Sequence, residues 1–288
     1  MIEFYKIGKK WYEDHDKNSG LFEANILEKE LFNIHCDKKV LIILNGKFFN
    51  IEEEIFLLSY MQGFDIKIFI ASDIIALDNN RSIINNCQYL LHQCPANDMI
   101  KNDKLIQLYS WVPEVFYTYS KQLLVEEKQN KLIFGGGVRD NEHKISEYLS
   151  AVPSVSYLKT NTYDNRLEYA DYLMELAKCK YTIIIARHAY NDIGWVTARY
   201  CEAIANNTMP ICDSTYDKSN HFAVVRVSSK EELRRMIEML NQSEEFYKSL
   251  LTQEHHKLAS RQNNFRNLII DIIGGKYADK SGDCRSTF

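Results

Sequence analysis

Arg199 and Glu202 stand three residues apart in the segment YNDIGWVTARYCEAIANNTMPICD, residues 190–213. On a helix that spacing puts both side chains on one face. As a solvent-exposed ion pair they would contribute well under about 1 kcal/mol. The alternative is a shared ligand. An ionised carboxylate presents two acceptor oxygens that suit a ribose diol, and the planar guanidinium fork suits a diphosphate. A second group of residues fits the same ligand: Gly135, Gly136 and Gly137, with Arg139 two residues further on. Glycines let backbone amides come close to an anion, and a following helix N-terminus adds partial positive charge. The run is neither G-x-G-x-x-G nor a Walker sequence. A tight turn is the plain alternative, and Arg139 favours phosphate. Asp73, which follows the apolar IKIFIA, reads by itself as a cap for the next turn, ahead of a carboxylate available for proton transfer. His92, His143 and His188 are isolated and read as structural. The pair His255–His256 reads as a solvated helix face, and Lys9–Lys10 and Lys128–Lys131 as solvated surface.

These residues fall at the ends of strand-like runs. KVLIILN (39–45) is continuously apolar, as expected of a strand buried on both faces of a parallel sheet. IEEEIFLLSYMQG (51–63) has helical spacing with a glycine stop, and DIKIFIA (65–71) is again a strand, which completes a βαβ unit. QYLLHQ (88–93) and KLIQLYSW (104–111) extend the set. The pattern restarts with KLIF (131–134), a helix from EHKISEYL, the strand SVSYLK (154–159) and a helix over LEYADYLMELAKC (167–179). YTIIIA (181–186), the helix carrying Arg199 and MPICD (209–213) follow, and the tail from KEELRRMIEML onward is helical. Two successive α/β sets predict two Rossmann-like domains with a boundary near residues 112–130. Ligands of such sheets sit outside the carboxyl ends of the strands. Ser72–Asp73, Gly135–Arg139 and the stretch from Arg187 to Glu202 all occupy such ends, and they face one cleft if the two domains oppose each other.

Apolar residues at 45% and charged residues at 26% of 288 are those of a globular chain. The seven cysteines (36, 87, 94, 179, 201, 212 and 284) are odd in number and form no Cys-x-x-Cys, which fits free thiols in a reducing compartment rather than a disulfide framework or zinc site. The N-terminal stretch has no apolar signal core and no run approaches eighteen apolar residues. A cytoplasmic protein is expected. A net charge of -4 provides no global attraction to nucleic acid.

Taken together, Gly135-Gly136-Gly137-Val138-Arg139, then Tyr190-Asn191-Asp192, Thr197, Arg199, Glu202 and MPICDSTYD, resemble the DNA beta-glucosyltransferases of T-even bacteriophages. VLIILNGKFFN resembles that family's second strand and turn, IFIASDII the strand ending in its catalytic aspartate, and QLYSWVPEVF its interdomain crossing. The resemblance implies a GT-B fold, with an acceptor domain over 1–118, a UDP-sugar domain over 119–256 and a C-terminal helix over 257–288 returning to the first domain. It implies an inverting transfer of glucose, or a related sugar, from a UDP-sugar to 5-hydroxymethylcytosine or 5-hydroxymethyluracil in phage DNA, as restriction evasion in an infected bacterium. Asp73 takes the role of catalytic base. Gly136, Gly137, Arg139 and Arg199 hold the diphosphate, Glu202 the ribose hydroxyls, and Tyr190 belongs to the same donor site. His143 stands where the family has a second phosphate-binding arginine, and one extra residue separates Asn191-Asp192 from Thr197. The implied partners are UDP-glucose, loosely bound Mg²⁺ or Mn²⁺, and DNA with a flipped-out base, with no membrane and a monomeric state. Lys9, Lys10, Lys47 and Lys121 are the candidate DNA contacts. A GT-B transferase with a non-DNA acceptor and a non-catalytic nucleotide- or DNA-binding module are the alternatives.

Overall fold

The computed structural model describes residues 1–15, 19–46, 50–73, 75–94, 99–109, 128–136, 141–152, 155–159, 167–217, 222–261 and 265–277. The chain divides into two compact units, Met1–Val115 together with Asn263–Phe288, and Phe116–Gln262.

The first unit is built on a parallel sheet of β1 (Ile2–Lys6), β2 (Val40–Leu44), β3 (Ile66–Ala71), β4 (Tyr89–His92) and β5 (Ile106–Tyr109), in that spatial order. All five residues of β2 are buried, as its unbroken apolar run requires. Ile42, Leu44, Ile68 and Ile70 pack against Ala24, Leu27 and Leu31 of the helix Ser19–Leu31 and against Phe265, Leu268, Ile269 and Ile272 of the helix Phe265–Ile273. Full burial contributes roughly 1.5–3 kcal/mol for each large aliphatic side chain. The opening strand β1 and the helices Lys9–His15 and Ser19–Leu31 were not anticipated from the sequence. The tail carries the helices Lys230–Gln242, Glu244–Arg261 and Phe265–Ile273, in keeping with its helical spacing.

The second unit carries β6 (Gln129–Gly136), β7 (Val155–Lys159), β8 (Cys179–Ile184), β9 (Met209–Asp213) and β10 (Arg226–Val227). Its spatial order is β10-β9-β8-β6-β7, again all parallel. The helix Glu142–Ser150 supplies Ile145 and Tyr148 to the cluster holding Leu132 and Phe134. The helix Tyr169–Lys178 supplies Leu176 to the cluster holding Ile133 and Cys179. Successive residues of a strand face opposite sides, so these helices cover opposite faces of β6. The chain leaves β6 on one side for β7 and returns on the other for β8. That reversal opens a crevice between the carboxyl ends of β6 and β8, the place where doubly wound sheets bind ligands. The order of the first sheet contains no such reversal among the described strands.

Candidate functional site

The crevice between β6 and β8 is furnished by four helices. Helix Ala198–Ala205 provides Arg199 and Glu202. Its residues from Tyr200 to Ala205 are all buried, Glu202 included at 5% exposure. The pair is therefore no surface ion pair: only Arg199 is partly exposed. A carboxylate so deep in the protein needs partners, and the helix Tyr169–Lys178 supplies them. Tyr169 Oη donates to Glu202 Oε1 at 2.7 Å, and Tyr172 Oη donates to Oε2 at 3.2 Å. Burial pushes the Glu202 carboxyl upward from its ordinary value, while the Tyr169 hydroxyl, the Arg199 charge and the Tyr172 hydroxyl pull it back. Burial and the neighbouring Glu202 raise Tyr172 well above an ordinary phenol, so it remains a donor.

Gly135 makes this arrangement sterically possible. A Cβ there would lie 2.6 Å from Tyr172 Cε2, well inside the 3.5–4.0 Å carbon–carbon optimum. Gly135 thus has a role that the sequence did not reveal: it clears room for the ring whose hydroxyl holds Glu202. Gly136 ends β6 opposite Lys159. Gly137 and Arg139 lie outside the described residues.

The loop after β8 is tied down at Ala186, whose carbonyl accepts Asn141 Nδ2 at 2.8 Å and Asn191 Nδ2 at 3.3 Å. Tyr190 lies in the following helix, His188–Ile193, with the Arg187 guanidinium 6.0 Å from its ring centroid and Trp195 at 6.4 Å. That helix stops at Gly194 in the left-handed conformation, φ 75°. Thr197 then starts the next helix without capping it through its side chain, and its N–H donates to Tyr216 Oη at 3.1 Å. Thr197 Oγ1 and Asn191 Oδ1 are buried and have no hydrogen-bond partner among the described residues. Buried polar atoms are rarely left so, and both fall in the segment that leads to Arg199.

His143 is exposed in the first turn of Glu142–Ser150. Its neighbour Lys144 pairs with Asp213 at the end of β9, Nζ to Oδ2 at 2.7 Å, and Tyr148 Oη donates to the same oxygen at 2.7 Å. Burial alone would raise the Asp213 carboxyl; Lys144, Thr215 and Tyr148 together hold it below the ordinary value. Lys128, expected as solvated surface, is largely buried instead. Its Nζ donates to Ala177 O at 2.6 Å and Thr208 Oγ1 at 3.1 Å, where the carbonyls ending a helix favour a cation. Burial lowers its ammonium to about 8. His255 is likewise no free surface group, with Nε2 3.0 Å from Asn207 Oδ1.

In the first unit, Asp73 follows β3 by two residues and is half-buried. The backbone leading to it is fixed by Asn45 at the end of β2, whose Oδ1 accepts Ser72 N at 2.7 Å and Ser72 Oγ at 2.9 Å. Buried Lys6, from β1, donates in turn to the Asn45 carbonyl. His92 ends β4 beside Ala71, buried, and burial holds it down to about 4. It is a neutral core residue, as the sequence indicated. Lys9 and Lys10 are exposed, whereas Lys47 and Lys121 lie outside the described residues. No helix is long and apolar enough to cross a membrane among the described residues.

Sequence comparison with protein-family models and with curated proteins produces no match. Comparison with solved structures does. T4 phage BGT in complex with its UDP-glucose substrate is similar with a TM-score of 0.60 at 14% identity, over 98% of this chain and 99% of that one. The same protein with UDP and Mn2+ is similar with a TM-score of 0.55 at 13% identity, over 96% and 98% of the two chains. An alpha1,3-fucosyltransferase is similar with a TM-score of 0.54 at 13% identity, over 99% and 91%. The fold is therefore the two-domain GT-B fold of glycosyltransferases, as the sequence resemblance implied.

Proposed function

We propose that the protein is an inverting glycosyltransferase that moves glucose, or a related hexose, from a UDP-sugar to the hydroxymethyl group of 5-hydroxymethylcytosine or 5-hydroxymethyluracil in phage DNA. The observation that carries the donor half is Glu202: a buried carboxylate at the switch point of the second sheet, gripped through both oxygens and one helical turn from Arg199. This is the chemistry expected of a ribose-and-diphosphate site, and the solved neighbours with UDP-glucose and with UDP support it. The acceptor half rests on Asp73 and on the sequence resemblance.

In the proposed reaction Asp73 takes the proton of the acceptor hydroxyl, and that oxygen forms the new bond to C1 of the sugar. The bond from C1 to the diphosphate oxygen breaks on the opposite side, which inverts the anomeric centre and leaves its electron pair on UDP. Arg199, Arg139 and the backbone amides after β6 stabilise that developing charge. A positioned base contributes ~10²–10⁴-fold. Among the described residues no three His, Cys, Asp or Glu side chains gather as metal ligands. Any Mg²⁺ or Mn²⁺ would be held by the diphosphate itself.

A specific observation favours a second reading of the acceptor. The helix Ile51–Tyr60, which follows β2, carries Glu52, Glu53 and Glu54 in its first turn and exposes Ile51, Ile55 and Phe56. Together with the net charge of -4, this suits an uncharged or apolar acceptor better than a polyanion. The deciding experiment incubates the protein with radiolabelled UDP-glucose and DNA containing either hydroxymethylpyrimidine, alongside glycan and small-molecule alcohols. Label on DNA establishes the first reading. Label on another acceptor with none on DNA establishes the second, and UDP binding without transfer to any acceptor rejects both in favour of a binding module.

A further inference from the structure

Tyr169 and Tyr172 are three residues apart at the start of their helix, with ring centroids separated by 6.1 Å. Each gives its hydroxyl hydrogen to a different oxygen of Glu202. A carboxylate has about four lone-pair directions, two on each oxygen. The tyrosines occupy one on each, so each oxygen keeps one. The helix of Glu202 adds no further donor to the carboxylate among the described hydrogen bonds. Asn206 Nδ2, the nearest polar group one turn on, donates at 2.8 Å to the main-chain carbonyl of Glu202 instead.

We infer that Tyr169 and Tyr172 are positioning residues that fix the Glu202 carboxylate with one acceptor direction left on each oxygen, so that the site takes a cis-diol and discriminates ribonucleoside from 2′-deoxyribonucleoside diphosphates. The inference rests on the proposal that Glu202 meets the ribose, and it adds the device that sets the selectivity. A 2′-deoxyribose offers one hydroxyl where two acceptor directions wait, and the one left on the second oxygen of a buried carboxylate then stays unfilled. Sites built to bond a hydroxyl reject the analogue without it because of that unmet partner. Without the tyrosines the carboxylate can rotate and satisfy a single hydroxyl with either oxygen, so selectivity falls even where the nucleotide still binds.

The test is calorimetric titration of UDP and 2′-deoxy-UDP into the wild type, Glu202→Gln, Tyr169→Phe and Tyr172→Phe, with thermal unfolding of each. The wild type should prefer UDP about 10- to 100-fold, the scale of a hydrogen bond to a charged group. Each Phe variant should weaken UDP about three- to tenfold and bind 2′-deoxy-UDP nearly as the wild type does, so the preference shrinks. A loss of mere structural support would weaken both nucleotides equally, and that result overturns the inference. Wild-type affinity and preference in both Phe variants, with Glu202→Gln impaired, also overturns it while leaving Glu202 as the ribose ligand. Unchanged UDP affinity in Glu202→Gln removes the ribose proposal itself. Phe keeps the ring and its packing; if Tyr169→Phe, the more buried of the two, does not fold, the partly exposed Tyr172→Phe decides alone.

Discussion

Replacing Gly135 by alanine tests the link between the glycine run and Glu202. Gly135 is paired in β6 and its conformation is open to any residue, so backbone strain is not the issue. The added methyl would sit 2.6 Å from Tyr172 Cε2 and 3.4 Å from Tyr172 Oη. To restore ordinary contact the ring must retreat by about 1 Å. Its hydroxyl, already 3.2 Å from Glu202 Oε2, then passes the limit of roughly 3.5 Å for a hydrogen bond. Overpacking of this kind costs about 1–3 kcal/mol, and the lost bond about 0.5–1.5 kcal/mol. Alanine in place of glycine in a strand returns about 0.5–1 kcal/mol through the unfolded chain. Gly135→Ala should therefore lose about 1–3 kcal/mol in urea unfolding and bind UDP about three- to tenfold more weakly. Uridine distinguishes two causes. If the glycine serves through Tyr172, uridine and UDP weaken alike; if it serves only by bringing amides to phosphate, uridine binding is untouched. Wild-type stability and wild-type affinity for both ligands would refute the coupling altogether.

Three further outcomes are expected. Asp73→Asn keeps the shape and removes the proton acceptor, so transfer should fall ~10²-fold or more with the calorimetric UDP affinity unchanged. His92 is neutral in the fold, with its pKa held at about 4 against about 6.5 unfolded. A depressed folded value means stability fully present above about pH 6.5 and lost as pH falls toward 4, up to about 3 kcal/mol; urea midpoints from pH 7 to 4.5 should show this, and His92→Gln should flatten it. Lys144→Met leaves the Asp213 carboxylate buried without its cation, which should cost about 2 kcal/mol in urea unfolding at pH 7, less than a fully buried pair because Lys144 is partly exposed. Since the Asp213 pKa is lowered in the fold, its contribution is present above the ordinary carboxylate value and disappears as pH falls below it.

The strands β2, β3, β8 and β9 could be read from the sequence because burial on both faces demands mostly apolar runs such as VLIIL, IFIA, TIII and MPIC. β1, IEFYK, alternates polar and apolar residues at the edge of its sheet and gave no such signal. Two-residue β10 is too short for any periodicity. The spacing of Arg199 and Glu202 put both on one helix face, but did not tell that Glu202 would be buried, because its partner Tyr169 comes from 33 residues away. The tyrosine pair had a faint local trace: two hydroxyls three residues apart at a helix start share a face. Lys128 looks like surface in the sequence because lysines are mostly solvated; nothing in its neighbours along the chain tells of the carbonyls of Ala177 and Cys179 that receive it.

The helix Phe265–Ile273 belongs to the first unit, although the whole second unit precedes it in the chain. Its Phe265, Leu268, Ile269 and Ile272 share a core with Ala24, Leu27 and Leu31, and Arg266 Nη1 donates to Phe32 O at 2.9 Å. A ribosome delivers residues in order, and domains generally fold as they emerge. Here the order is inverted. The second unit is contiguous and can fold while the chain is still growing, whereas the first must wait with one apolar face of its sheet covered only in part, by the helix Ser19–Leu31. During that wait the nascent chain presents Ile42, Leu44, Ile68 and Ile70 to whatever binds exposed apolar surface. Chaperone demand during synthesis should therefore follow the time taken to translate the second unit, and slowing translation there should cost soluble yield more than slowing it within the first.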